Sequence, residues 1–180
     1  MRLFTAIVLD DQNKRELYDT VMRLKGLARG GSFTEKENLH LTVNFIGETK
    51  RLDEVKEAMQ HAVRKTKAEP FTLTLQGFGR FKREEGDIYW VGVLEDNTLW
   101  RLQKELVSDL KEAGFFDIDD REYKPHLTLG RRVRFDKNFD IAEFGAGIAP
   151  KQMQVRKLSL MQSERIEGKL TYTEIYHVAF

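Results

Sequence analysis

The amino-acid sequence predicts an α+β fold, with residues 1–180 forming a single domain of two lobes that are related by a pseudo-twofold axis. Amphipathic helical segments alternate with segments of β-type alternation, and no linker, low-complexity tract or block of like charge divides the chain. Each half contains a helix, a His-x-Thr strand and a hairpin. We therefore expect two mainly antiparallel sheets, each with helices on its outer side, and an active-site cleft between the lobes.

The first half of the chain predicts a strand, a helix, a second strand and a second helix. We expect Asp10 or Asp11 to cap the first helix and Gly30-Gly31 to end it. Gly47 closes the second strand, and the second helix ends before Pro70. The predicted strands are residues 3–9 and 39–46, and the second helix has its apolar face at Leu52, Val55, Met59 and Val63.

The second half predicts a hairpin, a helix, a strand and a final hairpin. The third helix starts at Asp96 or Asn97 and stops at Gly114, and the strand that follows Pro125 carries the second motif. Residues between this strand and Pro150 form a looser segment. The predicted hairpin strands are residues 71–81 with 88–94, turning at 83–86, and residues 153–161 with 170–180, turning at Glu167-Gly168.

The composition excludes several classes of function. The chain has 30 basic and 29 acidic residues, so it lacks the basic excess typical of a protein that binds a long duplex. It has no cysteine, which excludes disulfides, thiolate zinc sites and cysteine nucleophiles. The N-terminal segment does not resemble a signal peptide, and no apolar run reaches the ~18 residues of a membrane span. We expect a cytoplasmic monomer with no membrane partner.

One motif occurs twice in the chain. His-Leu-Thr-Val at residues 40–43 returns as His-Leu-Thr-Leu at residues 126–129, each within a predicted strand. Side chains two apart on a strand share a face and lie roughly 7 Å apart along it. Two such strands facing each other would place two imidazoles and two hydroxyls around one small cleft.

Packing and metal binding are the alternatives for a histidine. His61 lies off the apolar face of its helix and His177 alternates with apolar neighbours, so we interpret these two as surface and structural residues. The duplicated motif is harder to explain in this way. A zinc site normally has a third protein ligand, and threonine, although a good hydrogen-bond donor to an anion, is a poor zinc ligand.

Acid–base chemistry at a phosphate ester explains every residue of the motif. One imidazole can activate water while the other protonates the departing alkoxide, because an unperturbed histidine pKa lies near ~6.5. The threonine hydroxyls can bind the non-bridging oxygens, which carry charge in the transition state. A strained 2′,3′-cyclic phosphate suits such a site, and we expect neither a metal nor ATP to be required.

At these residues the sequence resembles the 2H phosphoesterase superfamily, which is named for its paired His-x-Thr motifs. Residues 38–47 and 124–131 resemble its bacterial and archaeal RNA 2′,3′-cyclic phosphodiesterase branch, whose members were first named 2′-5′ RNA ligases. The resemblance extends over essentially the whole chain. It implies metal-independent hydrolysis of RNA 2′,3′-cyclic phosphate ends to 2′-phosphomonoesters, with RNA as the partner.

The resemblance also implies roles for individual residues. His40 would be the general acid and His126 the general base, and Thr42 and Thr128 would bind the phosphate. The positions five residues after each histidine would contact the substrate, Phe45 by stacking and Arg131 through its charge. Strict strand alternation turns both away from the histidines, so a bulge, a strand end or the cleft wall must intervene. Plain core packing is the alternative for Phe45.

Two other functions remain open from the sequence. One is a different 2H activity, on small cyclic phosphates or 2′-5′ linkages. The other is a non-catalytic module that binds RNA ends. The intact pair of motifs argues against the second, because a binding module has little need of two titrating imidazoles.

Overall fold

The computed structural model describes residues 1–180, and its nine strands form two antiparallel sheets. None of the helices is both long enough and apolar enough to cross a membrane. The strands are β1 (Arg2–Val8), β2 (Gly30–Phe33), β3 (His40–Glu48), β4 (Phe71–Phe81), β5 (Asp87–Val93), β6 (His126–Arg134), β7 (Lys151–Val155), β8 (Lys157–Ile166) and β9 (Lys169–Ala179). The helices are α1 (Asp11–Leu27), α2 (Leu52–Thr66), α3 (Asn97–Glu112) and α4 (Ile141–Ala146), with a 3₁₀ turn at Lys36–Asn38.

The order of the strands explains the internal repeat. The first sheet has the order β3-β1-β8-β9 and the second the order β2-β6-β5-β4-β7. In the first sheet the motif strand β3 pairs with β1, and helix α1 lies between them along the chain. In the second sheet the motif strand β6 pairs with β5, and helix α3 lies between them. Helix α1 contacts β6 and helix α3 contacts β3, so each helix lies against the motif strand of the other sheet. This exchange gives the two-lobed α+β fold that the sequence predicts.

The two faces of the first sheet have different neighbours. Leu3 and Ile7 belong to a core cluster of 31 buried residues that includes side chains from both sheets and from helices α1 to α3. Phe4 and Ala6 alternate with them on β1 and pack with Met161 in a separate cluster of three. Because successive side chains on a strand point to opposite faces, this small cluster marks the face of the sheet that is turned away from the main core.

Helix boundaries agree with the capping residues in the sequence. The carboxylate of Asp10 accepts a hydrogen bond of 2.7 Å from the backbone N–H of Asn13, and that of Asp96 accepts one of 3.1 Å from Leu99. The prediction that Gly30-Gly31 ends the first helix is wrong, because α1 ends at Leu27 and the two glycines begin β2, which pairs with β6. Gly31 has φ of 140°, and a Cβ there would lie 3.0 Å from the Cα of Val133, so the close approach of the two strands requires glycine.

The predicted strand over residues 153–161 is also wrong, because it is two strands in different sheets. Strand β7 pairs with β4 and β8 pairs with β1, with Arg156 between them. The residues that face the main core are Met153 and Val155 on β7, and Leu158 and Leu160 on β8. Their spacing is two residues within each strand but three between Val155 and Leu158, where the chain crosses from one sheet to the other. The looser segment also contains the short helix α4, whose N-terminus is capped by Asp140.

Candidate active site

The two motif strands lie against each other, which brings the four motif side chains to one cleft. On β3, His40 and Thr42 pair with Val8 and Ala6 of β1, while the intervening Leu41 is fully buried in the main core. On β6, the corresponding histidine and threonine pair with Gly92 and Trp90 of β5, and Leu127 is fully buried. Strands β3 and β6 are in contact, Leu41 and Leu127 share one core, and the charge of His126 affects the pKa of His40, so the histidines and threonines of the two motifs lie on the same side of these strands.

The backbone holds the imidazole of His40 in one orientation. Its Nδ1 lies 2.7 Å from the carbonyl oxygen of Asn38, and because a carbonyl can only accept, Nδ1 carries the proton in the neutral ring. Its Nε2 lies 2.9 Å from Oγ1 of Thr42, whose hydroxyl donates to it. The Asn38 side chain is held in turn, since Nδ2 donates to the carbonyl of Leu170 and Oδ1 accepts from the N–H of Tyr172.

His126 is held in the same way. Its Nδ1 donates to the carbonyl oxygen of Lys124 at 2.8 Å, again two residues before the histidine. The ring therefore has the same tautomer as His40 and leaves Nε2 free for the cleft. The hydroxyl of Thr34 donates to the carbonyl of Thr128 at 2.8 Å and ties the loop after β2 to this strand.

Aromatic rings flank both imidazoles. The ring centroids of Phe4 and Tyr172 lie 4.8 and 5.1 Å from that of His40. Phe81 makes an edge-on contact with His126 at 4.9 Å, and Trp90 lies 6.4 Å from it. These four aromatic residues carry no signal in the sequence, because their proximity to the histidines depends on strand pairing across the sheets.

Burial lowers the pKa of both histidines. For His40 the loss of solvation is the largest cause, partly offset by the Asn38 carbonyl, and the charges of Arg131, His126 and Lys14 lower it further. For His126 burial is again the largest cause, and Arg131 lowers the pKa as well. At neutral pH both imidazoles are therefore mainly neutral in the free protein, and each can accept a proton.

Two β-bulges turn Phe45 and Arg131 toward the cleft. The register between β1 and β3 shifts between Thr5 and Ala6, so that Phe45 faces Phe4 on the same side of the sheet as the motif. The register between β5 and β6 shifts between Tyr89 and Trp90, which places Arg131 one position out of simple alternation. The bulges occupy equivalent positions after the two motifs. They explain how a residue five positions after each histidine can face the same side as that histidine, which strict strand alternation would not allow.

The environments of these two residues differ from plain core packing. Phe45 is 52% exposed and stacks on Phe4 with a centroid distance of 5.8 Å. Arg131 is exposed and affects the pKa of both histidines, so it lies within electrostatic reach of each. The neighbouring Arg132 and Arg134 instead contact Glu85, through its carboxylate and its carbonyl oxygen respectively. Of these three arginines, Arg131 is the one whose charge affects the pKa of the motif histidines.

The other two histidines lie outside the cleft. His61 donates from Nδ1 to Asp109 at 2.9 Å, and Glu105 lies close by in an ion pair with Lys65. His177 contacts Glu174 at 3.2 Å. No group of three metal-ligating side chains includes a motif histidine, so the donor set of the cleft does not fit a three-ligand metal site.

Comparison with known proteins places these observations in a family. The sequence pattern of the 2′-5′ RNA ligase superfamily matches residues 14–167. The RNA 2′,3′-cyclic phosphodiesterase of Thermotoga maritima is 27% identical over 100% of this chain and 96% of its own length. The RNA 2′,3′-cyclic phosphodiesterase of Archaeoglobus fulgidus is 32% identical over 91% of each chain. The crystal structure of E. coli LigT complexed with 3′-AMP superposes with a TM-score of 0.73 and 26% identity, covering 99% of this chain and 96% of LigT.

Proposed function

Because this chain belongs to the 2′-5′ RNA ligase superfamily, we propose that it hydrolyses RNA 2′,3′-cyclic phosphate ends to 2′-phosphomonoesters without a metal. One observation carries the proposal: two imidazoles within electrostatic reach of each other each have Nδ1 bound to the carbonyl two residues before it, which leaves both Nε2 atoms for proton transfer. This arrangement provides a proton acceptor and a proton donor on opposite sides of a phosphorus atom. The relatives named RNA 2′,3′-cyclic phosphodiesterases support the choice of substrate.

The mechanism we propose is an in-line displacement at phosphorus. Nε2 of His126 takes a proton from water as the water oxygen attacks phosphorus. The bond between phosphorus and O3′ breaks, and His40 gives its Nε2 proton to the departing O3′. The phosphate remains on O2′, and the two histidines exchange their protonation states during the step. Each such proton transfer contributes typically ~10²- to 10⁴-fold to the rate.

The hydroxyls and the arginine complete the site in this proposal. Thr42 and Thr128 donate to the non-bridging oxygens, and the guanidinium of Arg131 stabilises their negative charge in the transition state. The hydroxyl of Thr42, which donates to His40 Nε2 in the free protein, exchanges that contact for the phosphate. Phe45, exposed and backed by Phe4, provides a surface on which the terminal nucleobase stacks.

The partner in this proposal is the end of an RNA chain. The solved LigT complex with 3′-AMP supports a nucleotide ligand. Both motifs come from one chain, so a monomer contains the whole catalytic set, and we propose that the protein acts as a monomer. The nearly balanced charge of 30 basic and 29 acidic residues is consistent with recognition of a chain end rather than a long duplex.

The test is hydrolysis of a short RNA with a 2′,3′-cyclic phosphate end by EDTA-treated protein, with 2′- and 3′-phosphate products resolved. We expect only the 2′-phosphate. His40→Ala and His126→Ala should each lose ~10²- to 10⁴-fold in kcat, while His177→Ala, outside the cleft, retains wild-type activity. Full activity in either motif variant would refute the mechanism. Turnover of small cyclic phosphates but not RNA would favour a different 2H activity, and tight binding without product would favour a binding module.

A sulfur substitution distinguishes the general acid from the general base. A substrate with sulfur in place of the bridging O3′ has a leaving group that departs as a thiolate and needs no proton. We expect this substrate to restore activity to His40→Ala and not to His126→Ala. Restoration of His126→Ala alone would reverse the two roles.

A further inference from the structure

A cavity of about 180 Å³ lies beside His40. Its lining comes from α1, the 3₁₀ turn, β3, β8 and β9 with the end of β1, and no residue of the second sheet contributes. Asn38, His40 and Tyr172 line it together with Lys14 of α1. The cavity therefore borders His40 but not His126 or any other residue of the second motif strand.

Lys14 has no partner for its charge. It is half-buried, and its ammonium forms neither an ion pair nor a hydrogen bond. Of the acidic residues near it in sequence, Asp10 caps α1, Glu16 pairs with Lys151 at 2.8 Å, and Asp11 is exposed in the first turn of the helix. An anion that enters the cavity would meet this unpaired ammonium and form a charge-assisted contact with it.

Lys14 and Arg131 differ in which histidines their charges affect. The positive charge of Arg131 affects the pKa of both histidines, whereas that of Lys14 affects His40 and has no such effect on His126. A phosphate between the two imidazoles is thus served by Arg131. Lys14 instead lines a cavity that includes His40 and no residue of the second sheet, where it can serve a second anion.

We propose that Lys14 binds the phosphate on the 5′ side of the terminal nucleotide, so that the enzyme prefers substrates that carry this second phosphate. The inference rests on the proposed function, in which His40 faces O3′ of the terminal ribose. The same ribose carries the preceding phosphate through its C5′ atom, so this phosphate is the next anion along the chain after the scissile one. A volume of about 180 Å³ corresponds to roughly six water molecules and accommodates a phosphate group with part of its hydration.

Two acidic residues also line the cavity and do not oppose this assignment. Glu174 is engaged by Lys157, Ser159 and His177, which compensate its charge. Glu37 is exposed, so water and salt screen its charge.

The experiment compares two substrates that differ by one group: adenosine 2′,3′-cyclic phosphate with a 5′-hydroxyl and the same molecule with a 5′-phosphate. We expect wild-type kcat/KM to be about tenfold higher for the 5′-phosphorylated substrate. In Lys14→Gln this ratio should fall to about one. Any effect of the substitution on the pKa of His40 acts on both substrates and cancels in the ratio. Lys25→Gln, the same change at an exposed position of α1 outside the cavity, should keep the wild-type ratio.

The outcomes separate this inference from the proposed function. An unchanged ratio in Lys14→Gln would overturn the role of Lys14, even if the enzyme is active on both substrates. If the wild-type protein hydrolyses neither, the proposed function is wrong, and binding then decides the inference. Adenosine 3′,5′-bisphosphate should bind more tightly than 3′-AMP in calorimetry, and this preference should vanish in Lys14→Gln. Retention of the preference would overturn the inference.

Discussion

The hydroxyl of Tyr123 donates a hydrogen bond of 2.8 Å to the backbone carbonyl of Thr42, which joins the segment before β6 to the middle of β3. The next residue, Lys124, holds Nδ1 of His126 through its own carbonyl. Two consecutive residues therefore connect one motif strand to the histidine of the other. Burial raises the pKa of the Tyr123 hydroxyl, so it remains a donor throughout the working pH range.

Removing this hydroxyl should loosen the alignment of the two motifs. Tyr123→Phe keeps the ring, which packs against Trp100, and deletes only the hydrogen bond. We expect a loss of about 1 kcal/mol in the free energy of unfolding and a severalfold lower kcat with little change in KM. Tyr18→Phe, which removes a hydroxyl that makes no hydrogen bond to the protein, is the control for urea unfolding and kinetics. A wild-type kcat in Tyr123→Phe would show that the connection has no catalytic role.

The pH dependence should reflect the lowered histidine pKa values. The kcat/KM profile reports the free enzyme, in which one imidazole must be neutral and the other protonated. Because burial lowers the pKa of His40 and of His126, we expect a bell-shaped profile with its maximum below ~pH 6.5. The bound phosphate anion favours the imidazolium and raises both values, so the kcat profile should have its maximum at higher pH. A kcat/KM maximum above pH 7 would contradict this account.

Neutralising Arg131 should change both the rate and the pH profile. Arg131 lowers the pKa of each histidine, so in Arg131→Gln both pKa values rise and both limbs of the kcat/KM profile move to higher pH. Loss of its charge in the transition state should reduce kcat/KM by about 10²-fold. Arg132→Gln is the matched control, since Arg132 is exposed and contacts Glu85 instead. Equal effects of the two substitutions would indicate a general influence of surface charge.

Gly79 allows Trp90 to lie flat beside the cleft. A Cβ at Gly79 would lie 2.6 Å from the Trp90 ring, which forms part of the wall around His126. We expect Gly79→Ala to lower the free energy of unfolding by about 1–3 kcal/mol and to reduce kcat as the ring is displaced. Gly26→Ala, at a helical position with nothing within 4 Å, should stabilise the protein by about 0.4–1 kcal/mol. Chemical denaturation of both variants measures the contrast, and a neutral Gly79→Ala would mean that the ring shifts freely.

The sequence predicts well what depends on neighbouring residues. Asp10 and Asp96 cap helices, and the turn at Glu167-Gly168 joins β8 to β9, because caps and tight turns are determined by backbone requirements within a few residues. The spacing of five residues between each motif histidine and Phe45 or Arg131 also predicts an interruption of strand alternation between them. It did not predict that bulges would do so in both strands, because a bulge is defined by the partner strand.

What the sequence by itself determined is the duplicated His-x-Thr pattern and the shared face of each pair, since the two-residue period of a strand is a local property. Only the tertiary structure decided that the two strands meet, that Tyr123 reaches Thr42 across 81 positions, and that Lys14 lies beside His40. It also decided that the chain changes sheets at Arg156 and that Gly30 begins a strand. These features depend on contacts between distant segments, and such contacts form only when the two sheets and their helices bury a common core.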